Sequence, residues 1–239
     1  MAENSTMLRP NKDRSNRLIL VLWIYTACTL LESISDISQY FLLKRIEAGN
    51  FDMREIDAND TRQSIVGIVM VLLYIGVAIV FIQWFRRAYY NLHQLSKNLS
   101  FSEGWAAGAW FVPIMNLGRP FNIMKEMMSV SENMLTQANL IREDKRRRYS
   151  VGIWWTLWIA ISILADVNAR IQVKSDNITV LMNSTLADVV LAFAYIPLTI
   201  FTVRMIKYYA ELENYLPQLN TDNIVREIKI DNSDILDSI

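Results

Sequence analysis

The stretch Ile65-Val-Gly-Ile-Val-Met-Val-Leu-Leu-Tyr-Ile-Gly-Val-Ala-Ile-Val-Phe-Ile-Gln-Trp-Phe85 decides the fold class. It carries no charge, and its one amide, Gln83, comes near its end. A helix rises about 1.5 Å per residue, so about 20 residues cross the roughly 30 Å of hydrocarbon in a bilayer. This run has that length and no polar face to turn toward water. It reads as a transmembrane helix.

Three more segments of the 239-residue chain qualify on either side of it. The first, 18–43, is dense in Leu and Ile and becomes more polar after Leu31. The third, 151–167, opens with Trp154, Trp155 and Trp158. The fourth, 185–206, contains Pro197, an expected kink. Between the second and third spans, residues 104–120 form an apolar stretch broken by Pro113, too short and too interrupted to count as a crossing. The predicted fold is therefore an all-α integral membrane protein. It has four transmembrane helices and a re-entrant or interfacial helical segment at 104–120.

Charge orients these spans. Eighteen of the 24 Lys and Arg residues fall on the side of the two termini and six on the other, so both termini are expected in the cytoplasm. This divides the chain into a cytoplasmic amino-terminal segment (1–17), a membrane domain (18–210) and a cytoplasmic tail (211–239). Arg9, Lys12, Arg14 and Arg17 before an apolar run outline a signal peptide. No small-x-small site closes that run, so it reads as an uncleaved signal anchor. In the tail, 224–230 reads as a flexible end or a short strand on a partner.

Twenty-four basic residues balance 24 acidic ones, which gives no pull toward nucleic acid. One Cys and one His exclude a disulfide framework and a Cys/His zinc site within one chain. No phosphate-cradling Gly loop, His-Glu-x-x-His pair or nucleophile elbow is present, so no catalytic residue, cofactor or metal is assigned. An enzyme is the last of the functional readings.

Two constellations remain. On span one Tyr25, Cys28, Glu32, Asp36 and Gln39 share a helix face, and span four carries Asp188, Tyr195, Thr199 and Thr202 in the same manner. An ionisable group at the centre of a span costs about 2.5–3.5 kcal/mol or more, so each such group marks a site or a buried pairing. Glu32 lies about 21 Å along its span and Asp166 about 22 Å along its own, while Asp188 enters within its first turn. Glu32, Asp36, Asp166 and Asp188 thus fall in the outer third of the bilayer. They form either an acidic vestibule for a cation or proton, or ion pairs with Arg170, Lys174, Lys44 or Arg45. The pairing is the reading favoured by their closeness to water.

The second constellation is expected on the cytoplasmic side. Arg86–Leu99 continues span two as an amphipathic helix through Tyr89, Leu92 and Leu95. Trp84, Arg86, Asn91, Trp105, Trp110, Pro113, Asn116, Arg119 and Pro120 combine guanidinium groups, amides and aromatics. This is the chemistry of a lipid headgroup or phosphate pocket, and equally that of a positive-inside flank with an aromatic belt. The basic cluster at 145–148 is expected against anionic headgroups.

The order Trp84-x-Arg86-x-Ala88-x-x-Asn91-Leu92, then Gly104-Trp105-Ala106-x-Gly108-x-Trp110-Phe111-x-Pro113-Ile114-x-Asn116-Leu117-x-x-Pro120, then Met124-Lys125-Glu126, resembles the bacterial membrane proteins grouped as domain of unknown function 4328 (DUF4328). The resemblance implies a multi-pass protein of the bacterial cytoplasmic (inner) membrane. It carries no catalytic role with it. The leading functional expectation is a non-enzymatic protein binding lipid or a membrane partner through the cytoplasmic Trp/Arg/Asn/Pro segment, with a homo-oligomer as one form of partner. The alternative is a small transporter or channel that uses the outer carboxylates.

Overall fold

The computed structural model describes residues 8–142 and 145–236, with side chains over 8–142 and 151–219. Its helices are α1 (Lys12–Glu47), α2 (Met53–Leu95), α3 (Trp105–Gly108), α4 (Pro113–Asn116), α5 (Arg119–Gln137), α6 (Lys145–Lys174) and α7 (Ile178–Leu236). Among the described residues there is no strand. Four helices are long and apolar enough to cross a membrane: α1, α2, α6 from Val151 and α7 to Leu219. All four expected spans lie within them, and 104–120 forms α3, α4 and the start of α5. The chain is an integral membrane protein of all-α architecture.

The helices exceed the spans. At 43 residues α2 is about 64 Å long, twice the hydrocarbon thickness, so about half of it must extend beyond a bilayer; the 65–85 run is its uncharged, most apolar part. The same holds for α7, in which Glu213 lies beyond the expected span 185–206. Pro197 sits inside an α7 that continues without interruption. The backbone of 224–230 continues α7 rather than forming a strand, and the side chains of 145–148 lie outside the described residues.

Contacts divide the chain into two units, whose boundaries fall within α1, α2, α6 and α7. Unit 2 comprises Arg17–Phe81 and Ile153–Arg204. Its outer surface is apolar: Leu20, Leu31, Ile68, Leu72, Ile163, Val190 and Phe193 are exposed, a pattern suited to lipid and not to water. Its interior mixes large apolar side chains such as Leu18, Phe81, Trp154 and Ile161 with small hydroxylated ones, Thr26, Thr29, Ser33, Ser184, Thr185, Thr199 and Thr202. Lipid tails are as apolar as Leu, so helices in a bilayer associate through close packing and hydrogen bonds. The hydroxyls of Thr26, Thr185 and Thr202 donate to the carbonyls four residues earlier, at 3.0, 2.9 and 2.7 Å, so their polarity is already satisfied within the helix.

Unit 1 comprises Met1–Asn16, Ile82–Gly152 and Met205–Ile239. Here the packing resembles that of a water-soluble core. Trp84, Phe85, Tyr89 and Leu92 of α2 are fully buried, as are Ile123, Met124 and Met127 of α5 and Met205, Ile206 and Tyr209 of α7. Tyr89 and Leu92 lie on the buried face of the amphipathic continuation of span two, which ends at Leu95 and not at Leu99 as expected.

Candidate functional site

Unit 2 contains an open cavity of about 430 Å³, and all four long helices contribute to its wall. Glu32 and Asp36 reach it from α1, because residues four apart share a helix face. Asp188 reaches it from α7, and Tyr25, Tyr74 and Tyr195 complete the polar lining. The tyrosines form one cluster, with Tyr25 edge-on to Tyr195 at 5.7 Å and tilted against Tyr74 at 6.3 Å between ring centroids. One turn from Tyr195, Thr199 Oγ1 lies 2.6 Å from Thr26 Oγ1, and both residues are buried.

Asp166 apart, among the described residues none of the expected carboxylates is in an ion pair. Arg170 bonds Asp166 at 2.8 Å on its own helix, and Arg45 is paired with Glu55. Asp188 accepts instead from Asn168 Nδ2 at 2.7 Å and from Gln172. Asp36 accepts from Gln63 Nε2 at 3.4 Å. Among the described residues no hydrogen bond or ion pair engages Glu32. The structure thus brings together three of the four expected acids. Asp166 is exposed, occupied by Arg170 and absent from the cavity wall; Cys28 and Gln39, both partly buried, are also absent from it. Among the described residues no group of three or more His, Cys, Asp or Glu side chains is arranged to hold a metal ion.

In unit 1 the other predicted residues are mostly internal. Trp84 is fully buried, edge-on to Tyr209 at 6.2 Å, and Trp110 is edge-on to Phe85 at 6.0 Å. Arg119 lies with its guanidinium 3.8 Å above the Trp105 ring and 5.4 Å from the Phe101 ring centroid. Its Nη1 is buried without a hydrogen-bond partner, as is Asn116 Oδ1. Pro113 and Pro120 stand in the first turns of α4 and α5, where a missing N–H costs nothing. Arg86 is largely exposed and reaches Glu103 at 3.7 Å.

Between α3 and α5 the chain turns an apolar tip outward. Phe111, Ile114 and Leu117 are 75%, 86% and 59% exposed. Unit 1 also gathers positive charge: burial and the neighbouring Arg14, Arg9 and Arg86 push the Arg87 guanidinium below its ordinary value.

Asn91 belongs to a cluster that the sequence does not reveal. Its Oδ1 accepts from the Arg9 N–H at 3.0 Å, and its Nδ2 donates to the Arg9 carbonyl at 2.9 Å and to Glu213 Oε1 at 3.2 Å. Asn11 Nδ2 approaches both Glu213 oxygens, at 3.2 and 3.0 Å. Burial pushes the Glu213 carboxyl up to about 7, opposed by the Asn11 and Asn91 hydrogen bonds and by the charge of Arg87. These residues line a second cavity, of about 290 Å³. The only sequence signal for it is an acid in a helix that continues well past its membrane crossing.

Residues 48–211 match the family model described as a domain of unknown function, DUF4328. No curated protein and no solved structure matches the chain.

Proposed function

The chain belongs to the DUF4328 family, and because that family is one of unknown function, we propose a role from the geometry alone: an integral membrane protein that takes a proton or small cation into the acidic cavity of unit 2. The observation that carries this reading is Glu32, an ionisable side chain on an expected membrane span that lines a cavity and, among the described residues, is in no ion pair. Such a group is costly in a bilayer unless a ligand or proton offsets its charge. Asp36, Asp188 and three tyrosine hydroxyls surround the same space with oxygen. One turn from the tyrosines the Thr26–Thr199 hydrogen bond ties α1 to α7.

This reverses the order in which the sequence ranks the two sites. Of the expected neutralising partners Arg170 takes Asp166 alone and Arg45 pairs with Glu55, and among the described residues no ion pair joins Lys44 or Lys174 to Glu32, Asp36 or Asp188, whereas most of the Trp, Asn and Pro residues of the family string pack within unit 1.

The test is ion flux into proteoliposomes containing pyranine, with imposed pH and K⁺ gradients. Wild type should exceed empty liposomes, and Glu32→Gln should lower the rate at least tenfold. A Glu32→Gln rate equal to wild type, or a wild-type rate equal to that of empty liposomes, overturns the reading.

One observation favours the second reading, lipid engagement by 104–120. An apolar tip at Phe111, Ile114 and Leu117 is costly in water and suits the interfacial layer, and the arginines at 9, 14, 86 and 87 suit anionic headgroups. Phe111→Ser with Ile114→Ser and Leu117→Ser should lower the lipid retained through purification, as should Arg86→Ala with Arg119→Ala. Retention equal to wild type in both counts against it.

A further inference from the structure

The smaller cavity, in unit 1, has opposite charges on its wall. Most of that wall lies outside residues 48–211, on the segment before α1 and on α7 after Glu211. At the acidic end stands Glu213, whose oxygens receive amide N–H groups from Asn11 and Asn91. A carboxylate accepts about four hydrogen bonds, so these leave acceptor capacity unused. Among the described residues no cation lies within ion-pair distance of it, and Asn11 Oδ1 is itself buried without a donor.

The same wall carries Lys12 and Arg9. Among the described residues the Lys12 ammonium makes no hydrogen bond or ion pair. The Arg9 guanidinium lies 4.2 Å over the Tyr90 ring, a contact that leaves its N–H groups free to meet an acceptor. A simple cation entering here would meet two positive side chains, and a simple anion would meet Glu213. A zwitterion satisfies both ends. The free acceptor positions on Glu213 call for N–H donors, which a primary ammonium has and a trimethylated one lacks. Two cations facing the other end suit a phosphate.

We propose that this cavity binds a phosphoethanolamine group, with its ammonium on Glu213 and its phosphate toward Lys12 and Arg9. The group has two sources, the headgroup of an ethanolamine phospholipid or a soluble phosphoethanolamine, and both present the same chemistry.

The full chain purified in dodecyl maltoside is titrated calorimetrically with phosphoethanolamine, phosphocholine, inorganic phosphate and lysophosphatidylethanolamine. Phosphoethanolamine should bind, and phosphocholine and inorganic phosphate should bind at least tenfold more weakly. Glu213→Gln and Lys12→Ala should each weaken binding at least tenfold. Ala210→Phe fills the cavity while leaving the carboxylate and its amides in place, and should abolish binding even if Glu213→Gln misfolds. Glu32→Gln should change nothing, which separates this site from the cavity of unit 2. Tighter binding of lysophosphatidylethanolamine identifies the lipid as the source, and equal binding identifies the soluble group. The proposal is overturned if phosphocholine or inorganic phosphate matches phosphoethanolamine, if neither ethanolamine compound binds, if Ala210→Phe binds as wild type does, or if Glu32→Gln abolishes the heat.

Discussion

The hydroxyl oxygens of Thr26 and Thr199 lie 2.6 Å apart, between α1 and α7, at residues that are 3% and 4% exposed. Thr26 also directs its hydroxyl at the Leu22 carbonyl, 3.0 Å away, so the shared proton between the two threonines comes from Thr199. A donor and an acceptor buried in this way form a specific tie between two membrane helices.

Thr199→Val removes the donor and keeps the shape, and Thr26→Val removes the acceptor. Interhelical hydrogen bonds in membranes couple by about 0.6 kcal/mol on average, with about 1.7 as the upper end. A double-mutant cycle on these two positions, read by unfolding in mixed micelles, should return a coupling in that range. A coupling of zero would show that the two hydroxyls merely pack. Loosening this contact should also raise the proteoliposome leak if the cavity is closed on this side.

Glu213 sets a pH dependence. Its carboxyl titrates at about 7 in the folded chain against 4.5 in the unfolded one, with burial as the main cause. Below about 4.5 both states are protonated and the group contributes nothing. Between the two values the folded state holds a proton that the unfolded state has lost, so stability falls as pH rises through this window. Above about 7 the full cost is present, roughly 2–3 kcal/mol for a half-buried group. Glu213→Gln does not titrate, so wild type should lose ground against it from pH 5 to pH 8. A wild type that instead gains on the variant as pH rises would mean that the amide hydrogen bonds and Arg87 outweigh desolvation.

Arg119 and Arg86 are both arginines of the family string, yet their expected contributions differ. The Arg119 guanidinium is stacked on Trp105 at 3.8 Å, a half-buried cation–π contact of the kind worth about 1–2 kcal/mol. Arg119→Ala should therefore lower stability by about that amount. Arg119→Lys should recover only part of it, since an ammonium lacks the flat face. The exposed Arg86–Glu103 pair sits at 3.7 Å and is screened by water, so Arg86→Ala should stay within about 0.5 kcal/mol of wild type. Equal losses at both positions would contradict the stacking account. Thermal unfolding of the three variants in detergent gives the comparison.

The spans were legible because hydrocarbon imposes one demand, apolar residues over a fixed length, and 65–85 meets it almost without exception. Glu32, Asp36 and Asp188 were legible by depth along their helices, since rise per residue converts position into height. Depth says nothing about azimuth, so it does not tell that Asp166 stays off the cavity wall and takes the other expected course, pairing with Arg170. The nearer signal was Arg170, four residues on, which occupies it on the same helix. Glu213 was not legible because Glu211-Leu212-Glu213 has the form of an ordinary solvated face. Its burial depends on Asn11 and Asn91, which are 202 and 122 residues away in the chain. Long-range polar pairing of that kind leaves no periodic trace.

Gly49 carries the sharpest backbone prediction. It follows α1 with φ of +75°, in the left-handed region that glycine occupies without penalty. The turn is a Schellman cap: the Gly49 N–H donates to the Ile46 carbonyl at 2.9 Å, and the Asn50 N–H donates to the Arg45 carbonyl at 2.9 Å. A Cβ at Gly49 would meet no atom within 4 Å, so steric crowding is not the issue and only the dihedral matters. Gly49→Ala should cost about 1 kcal/mol, and Gly49→Asn less, because Asn tolerates this region better. Gly76 is the internal control: it lies in α2, and its added Cβ likewise meets nothing. There Ala has the better helix propensity, so Gly76→Ala should be neutral or stabilising by up to about 1 kcal/mol. Opposite signs at two equally uncrowded glycines, measured by unfolding under one set of conditions, would isolate the conformational contribution. A loss at Gly76 equal to that at Gly49 would mean that its open space is filled in the membrane by a neighbour.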